Sequence, residues 1–274
     1  MKIRKFLIIA HYHREGKIRT DLIKLIKLFN KSFEKIVFIS TNLKKNEKIK
    51  IQKYAKIITR PNYGYDFYSW KVGINFFKKK FINNFGKNKI LFLLPSSLLY
   101  VKPYKLLREF NRIKNFNNKV FSLTKSWEVC QHIQSDILIF ALSLFEKKQF
   151  SDWWNKIKKF KSRQIIIFKY EIGFSKFLDN QNIKALPIFN ENIKDYPFSI
   201  FKLFKSRILN IFFKIKKIHK KNPTHFYWNN IYQKYGLIKI ELIKSNPHKV
   251  NIDKFNKIFN TKENTKLYLE AINN

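Results

Sequence analysis

Apolar runs recur along the first two thirds of the chain, and each ends in a polar turn. A stretch that is apolar at every position suits a strand buried on both faces. That pattern predicts strands at Phe6–Ala10, Ile36–Ser40, Ile90–Leu94 and Val120–Thr124, with shorter ones at Lys56–Thr59 and Ala185–Ile188. Helical spacing falls between them. Leu22, Ile23, Leu25, Ile26, Leu28 and Phe29 follow Asp21, a candidate N-cap. Val72, Ile74, Phe76 and Phe77 continue a helix to about Lys80, Pro103–Phe110 reads as a helix, and Phe150–Phe160 carries Trp153 and Trp154 in another. Ile137–Phe140 fits strand or helix, and Phe177 and Leu178 continue a helix that starts after Gly173. Strands alternating with helices predict an α/β fold: a Rossmann-type, mainly parallel sheet flanked by helices.

The pattern changes after residue 197, which divides the chain into an expected α/β domain over 1–197 and a helical extension over 198–274 packed on it. Within residues 200–221, Ile200, Phe201, Phe204, Ile208, Ile211, Phe212, Ile215 and Ile218 share one helical face, with Lys202, Lys205, Lys216, Lys217 and Lys220 largely opposite. A basic amphipathic helix with aromatic anchors suits an anionic membrane surface. It equally suits a surface helix packed on its own domain. Asn222-Pro223-Thr224-His225 then reads as a turn, with Thr224 placed to cap a helix through Trp228 and Ile231.

At 274 residues the chain is long enough to bury a substantial core, and 45% hydrophobic residues exclude a disordered chain. Its formal charge of +39 would attract nucleic acid, anionic lipid or nucleotide phosphates, although AT-rich codon usage accounts for lysine enrichment equally well. Cys130 is the single cysteine, so neither an intrachain disulfide nor a cysteine-based metal site is expected, in keeping with a reducing cytoplasm. The five apolar residues after Lys5 are too few for the core of a secretory signal, and no run approaches a membrane span. A soluble or peripheral protein is the expectation.

Chemistry concentrates in Arg60-Pro61-Asn62-Tyr63-Gly64-Tyr65-Asp66-Phe67-Tyr68-Ser69-Trp70-Lys71-Val72-Gly73, between two apolar runs. A segment that only fills a core has no use for so many hydrogen-bonding side chains, whereas a loop that grips a polar ligand and starts a helix does. Its structural alternative is an Asn/Gly turn with Asp66 as helix cap. His11 and Tyr12 follow the first strand, at the end where open α/β sheets bind ligands. There is no P-loop, no Gly-rich dinucleotide fingerprint and no His-Glu-x-x-His pair. Aromatics interleaved with lysine raise single-stranded nucleic-acid binding. They lie mostly in apolar runs that a core needs, so nucleic acid is a disfavoured partner.

Ala10-His11-Tyr12 with Gly16, the Arg60–Lys71 stretch, Leu123-Thr124, His132-Ile133-Gln134-Ser135, Tyr170-Glu171-Ile172-Gly173, Asn222-Pro223-Thr224-His225 and Asn246-Pro247 form an ordered set. In order and spacing, from about Phe6 to Asn251, the chain resembles the rhamnan synthesis protein F family of bacterial polysaccharide glycosyltransferases. The resemblance implies a GT-A-like domain that binds a nucleotide-diphosphate sugar. His11 and Tyr12 would border the base or ribose, and Arg60 would pair with the diphosphate as a guanidinium fork. Asn62 and Asp66 would hold hydroxyls, with Gly64 admitting a close backbone approach. Trp70, Lys71, Ser96 and Ser97 complete the implied donor site. Glu171, before a helix, would be the base of an inverting transfer, or else a buried partner for a lysine or a helix-terminus charge. His132, Gln134 and Ser135 would line the sugar or acceptor side. His225 reads as a capping or structural residue.

One departure stands out. The family usually carries Asn-Asp-Ser after the fourth strand, the Asp resembling part of a metal-binding acidic motif, whereas this chain has Pro95-Ser96-Ser97. A serine lacks the charge that Mg²⁺ or Mn²⁺ seeks, so no metal ligand is assigned, and three expectations stand. The cation is held by other groups, or transfer proceeds without it, or the chain is a catalytically inactive homologue. The favoured expectation is transfer of a sugar, dTDP-L-rhamnose being the implied donor, to a polyprenyl-diphosphate-linked glycan. This would take place at the inner face of the cell membrane, in surface polysaccharide (O-antigen-type) synthesis. The alternative outside the family is a basic RNA- or single-strand-binding protein.

Overall fold

The computed structural model describes residues 3–81, 88–189 and 222–273; the amphipathic segment over 198–221 lies outside them. Three apolar runs form the centre of a sheet, β1 (Arg4–His11), β2 (Lys35–Ser40) and β4 (Lys89–Pro95), and β3 (Lys56–Thr59) lies at one edge. After the two-residue strand β5 (Leu98–Leu99) come β6 (Lys119–Ser122), the short hairpin β7 (Lys125–Ser126) and β8 (His132–Ile133), β9 (Leu138–Ala141) and β10 (Lys184–Pro187). Seven of these make one sheet, in the order β10-β6-β9-β4-β1-β2-β3. Its pairings are parallel except where β9 lies antiparallel between β4 and β6. The α/β expectation holds, and the ambiguous Ile137–Phe140 run is resolved as strand.

Why β1 is apolar throughout is visible in its two faces. Leu7 and Ile9 pack with Leu22, Leu25, Ile26 and Phe29 of α1 (Thr20–Phe29), while Phe6, Ile8 and Ala10 pack with Trp70, Ile74 and Phe77 of α3 (Tyr65–Phe81). Successive side chains of a strand point to opposite faces, so one run feeds two cores. Each fully buried aliphatic side chain contributes roughly 1.5–3 kcal/mol. Gly73 lets α3 settle onto the sheet: a Cβ there would meet Ile8 Cγ2 at 2.7 Å.

Asp21 does not cap α1. Arg19 occupies that position, and buried Asp21 accepts from its Nε (2.9 Å), its Nη2 (3.1 Å) and the Tyr100 amide (2.9 Å). The helix α2 (Lys45–Ile49) is short, and α4 (Pro103–Arg112) starts where expected and runs past Phe110 to Arg112. The Trp153–Trp154 helix, α5 (Lys148–Asn155), ends five residues before Phe160, because the chain from Ile157 turns toward the loop before α3. There Lys71 Nζ donates to the carbonyls of Asn155 (2.6 Å) and Ile157 (2.7 Å). In the last part, Asn222 rather than Thr224 is the cap: its Oδ1 accepts from the Thr224 amide (3.1 Å) and hydroxyl (2.6 Å) and starts the helix Pro223–Phe226. Helix Trp228–Tyr235 packs Ile231 and Tyr235 into the α1-side core. The strand β11 (Ile238–Lys239) then pairs antiparallel with β5, bringing the C-terminal residues to the end of β4.

Candidate active site

A cleft of about 520 Å³ opens where the parallel strands end. The turns after β1, β2, β3 and β4 supply His11 and Tyr12, Thr41, Arg60 and Asn62, and Ser96 and Ser97, while the start of α3 supplies Asp66 and Ser69. Ligands bind open α/β sheets at this edge. A larger hollow of about 1010 Å³ between the turn after β1 and helix Lys262–Ile272 contains none of the expected site residues.

The loop before α3 is organised by Arg60 in a way its sequence does not display. Nε and Nη2 donate to Ser69 Oγ (3.0 and 2.7 Å), Nη1 to the carbonyls of Pro61 (2.8 Å) and Tyr63, and Nη2 also to the Tyr65 carbonyl (2.7 Å). The guanidinium sits 5.6 and 5.4 Å from the Tyr63 and Tyr68 ring centres. Guanidinium has five N–H donors, and all five are used. Fork-like pairing with a diphosphate would have to break these bonds, so Arg60 shapes the cleft and lends it charge from behind. Gly64, at φ +71°, and Tyr65, at φ +49°, form the left-handed step into α3. Held strain of this kind in a non-glycine residue accompanies ligand-gripping loops.

Two other residues expected at the donor site lie elsewhere. Trp70 is fully buried against the sheet, since it shares the α3 face of Ile74 and Phe77. Lys71, one step round the helix, is spent on the end of α5. Neither lines the cleft. Lys161, Thr41 and Tyr65 do. Ser96 is tied to the first turn: its Oγ accepts from the Tyr12 amide (3.0 Å) and lies 3.4 Å from the Tyr12 carbonyl. His11 shares a 2.9 Å hydrogen bond between Nδ1 and Ser40 Oγ, and burial, with the Arg19 charge nearby, pushes it down to about 3, so the ring is neutral. Burial pushes Asp66 up to about 6, with Lys239 and Arg60 opposing and Asp136 and Glu171 reinforcing.

Glu171 lies within a helical segment, not ahead of one. α6 (Arg163–Ile166) runs into a π-helical stretch (Ile167–Ile172) and on into α7 (Gly173–Asn180). Such widened turns recur at functional sites because they re-aim one side chain. Glu171 Oε2 accepts from Ser135 Oγ at 2.5 Å, and Oε1 lies 3.3 Å from His132 Nε2. The other His132 nitrogen, Nδ1, is 2.8 Å from the Cys130 carbonyl. A carbonyl can only accept, so Nδ1 carries a proton, and Nε2 facing a carboxylate favours a second. Burial alone would lower His132, but Glu171 and the Cys130 carbonyl outweigh it and push it up. Conversely, burial would raise Glu171, and His132 and Ser135 together hold it down, ionised. Gln134 is turned away: it accepts from Thr124 Oγ1 at 2.6 Å inside the protein.

A second layer comes from the C-terminal segment. Lys239 Nζ ion-pairs with buried Asp136. Arg163 holds Glu241 through two bonds of 3.0 and 3.1 Å. His225 is buried with no hydrogen bond at either nitrogen, 3.8 Å from Glu241 Oε2, its ring 5.1 Å from that of His248, and burial pushes it down to about 4. His225 therefore does not cap its helix; Asn222 does. Asn222-Pro223-Thr224-His225 was the available signal for this layer. Lys239 had none, being one cation among 57.

A family model described as "RgpF: Rhamnan synthesis protein F" matches residues 36–270. No curated protein matches the chain significantly. Among solved structures, the glycosyltransferase GlyE of Streptococcus pneumoniae TIGR4 is similar over 99% of this chain at 11% identity and a TM-score of 0.46, and the chain spans 61% of its length. A 4-diphosphocytidyl-2C-methyl-D-erythritol synthase is similar over 75% of this chain and 100% of its own, at 8% identity and a TM-score of 0.46.

Proposed function

The chain belongs to the rhamnan synthesis protein F family, and from that premise we propose that it is an inverting glycosyltransferase with a nucleotide-diphosphate sugar as donor. The observation that carries this reading is Glu171, an ionised carboxylate fixed by His132 and Ser135, although neither it nor those two partners line the cleft itself. In this reading the nucleotide occupies the cleft at the strand ends, beside His11 and Tyr12. Asn62 and Asp66 hold hydroxyls; Asp66, pushed up to about 6, donates when protonated and accepts when not. The acceptor hydroxyl approaches from the Glu171 side. Its oxygen attacks the anomeric carbon, Glu171 takes its proton, and the bond from that carbon to the diphosphate oxygen breaks with inversion. The nucleoside diphosphate leaves.

The family description supports a polysaccharide role and makes L-rhamnose the first sugar to try; a lipid-linked glycan is the acceptor of this proposal. Among the described residues no helix is long and apolar enough to cross a membrane. We assign membrane contact to residues 200–221 from their sequence pattern and the charge of +39, and in this proposal the enzyme works at the inner membrane face. Among the described residues most aromatic side chains pack into the cores, which disfavours single-stranded nucleic acid as the ligand.

Thermal-shift titration with a panel of nucleotide-sugars tests this reading. Stabilisation that grows with concentration is expected for at least one donor. A flat response to all of them, with a strongly salt-dependent response to an oligonucleotide, would replace it with nucleic-acid binding.

A further inference from the structure

A diphosphate leaving group needs positive charge, and family resemblance suggests a divalent cation at the end of β4. The residues there do not fit one. Ser96 is engaged with Tyr12, and among the described residues no group of three His, Cys, Asp or Glu is placed to hold a metal ion. Arg60 and Lys71 are committed to backbone carbonyls.

Exposed Lys161 lines the cleft, and a buried cation comes from the C-terminal segment. Antiparallel pairing of β11 with β5 sets Lys239 opposite Leu98, and the Ile240 amide donates to the Ser97 carbonyl at 3.0 Å. Lys239 therefore enters the fold beside the Ser96–Ser97 turn. Its side chain is 15% exposed, its ammonium pairs with Asp136, and Asp136 Oδ2 makes no hydrogen bond. An ammonium has three N–H donors, and among the described residues only Asp136 receives one. Burying a lysine is costly; Asp136, Glu171 and Glu241 all favour its charge, but among the described residues two of its three donors are left without an acceptor. A site that accepts further anionic oxygens supplies them.

We propose that Lys239 holds the donor diphosphate in the role a divalent cation would fill, Asp136 fixing its position. This rests on the nucleotide-sugar reading above. An ammonium bound through a folded strand is present before the nucleotide arrives, so binding does not await a metal.

Calorimetric titration of dTDP, UDP, GDP and CDP, and of the matching monophosphates, tests it on the full chain. Wild-type protein is expected to bind one diphosphate equally well in EDTA and in Mg²⁺. Lys239→Met combined with Asp136→Asn removes the pair without stranding a buried charge. It should lose about 10- to 100-fold in diphosphate affinity, the range of one charge-assisted hydrogen bond, and less than about threefold in monophosphate affinity. Should that variant melt early, Lys239→Gln gives the same comparison. Diphosphate binding that needs Mg²⁺, or that survives both substitutions, overturns the role of Lys239 and leaves the donor reading intact. Failure of wild-type protein to bind any diphosphate overturns both.

Discussion

His132 Nε2 lies 3.3 Å from Glu171 Oε1, with the opposite ring nitrogen 2.8 Å from the Cys130 carbonyl. The contact favours the protonated imidazole and, in return, holds the carboxylate down. The cost is basicity: a carboxylate held low accepts a proton less avidly. His132→Gln removes the charge, so the Glu171 carboxyl should rise, and the acid limb of the rate profile, where activity fades as Glu171 becomes protonated, should move to higher pH. A pH–rate profile for kcat checks the direction. A profile that falls uniformly without moving would assign His132 to structure alone.

Asp66 gives a stability signature. Its carboxyl is raised in the fold from an ordinary 3.8 to about 6. The folded state then binds the proton more tightly than the unfolded chain, so this contribution is fully present below about pH 4 and is lost as pH rises through about 6. Asp66→Asn should melt at a higher temperature than wild type at about pH 8 and show little difference at about pH 4. Thermal melts across that range check it. The neutral buried histidines His11 and His225 act in the opposite sense, losing stability as pH falls below about 6.5. They are common to both proteins, so the difference between the two melting curves isolates Asp66.

Arg60 and Lys71 separate shape from ligand contact. Arg60→Lys keeps the charge and loses the fork, and is expected to cost on the order of 3 kcal/mol, roughly 5–10 °C in melting temperature, with donor binding lost as the loop opens. Lys71→Met removes a cation that holds the Asn155 carbonyl at the end of α5 and the Ile157 carbonyl just beyond it. It should cost about 1 kcal/mol and leave donor affinity unchanged. Melting and donor titration on the two variants check both. A large affinity loss for Lys71→Met would return that lysine to the donor site.

The sheet was legible because a strand buried on two faces must be apolar at every position, and Phe6–Ala10, Ile36–Ser40 and Ile90–Leu94 are. The placement of ligand chemistry at a strand end followed from the same reasoning for His11 and Tyr12, while Ser96 and Ser97 came from the family resemblance. Trp70 was misplaced because the polar density of its neighbours hid the helical spacing of Trp70, Ile74 and Phe77, which aims it at the sheet. Arg60 was unreadable for another reason: most of its partners are backbone carbonyls, present behind every residue type. The π-helical turn at Glu171 has no sequence signature either, since it differs from an α-turn only in hydrogen-bond register. Lys239 needed a pairing between residues 98 and 239 that no local pattern announces.

Glu171 carries the central claim, and turnover measures it most directly. A panel of nucleotide-sugars, dTDP-L-rhamnose among them, can be incubated with wild type and Glu171→Gln, and released nucleoside diphosphate and transferred sugar followed together. The account predicts turnover of at least one donor by wild type and a fall of roughly 100-fold or more in Glu171→Gln, with donor affinity retained. Turnover undiminished by Glu171→Gln, or no donor consumed by the wild-type protein, would contradict it.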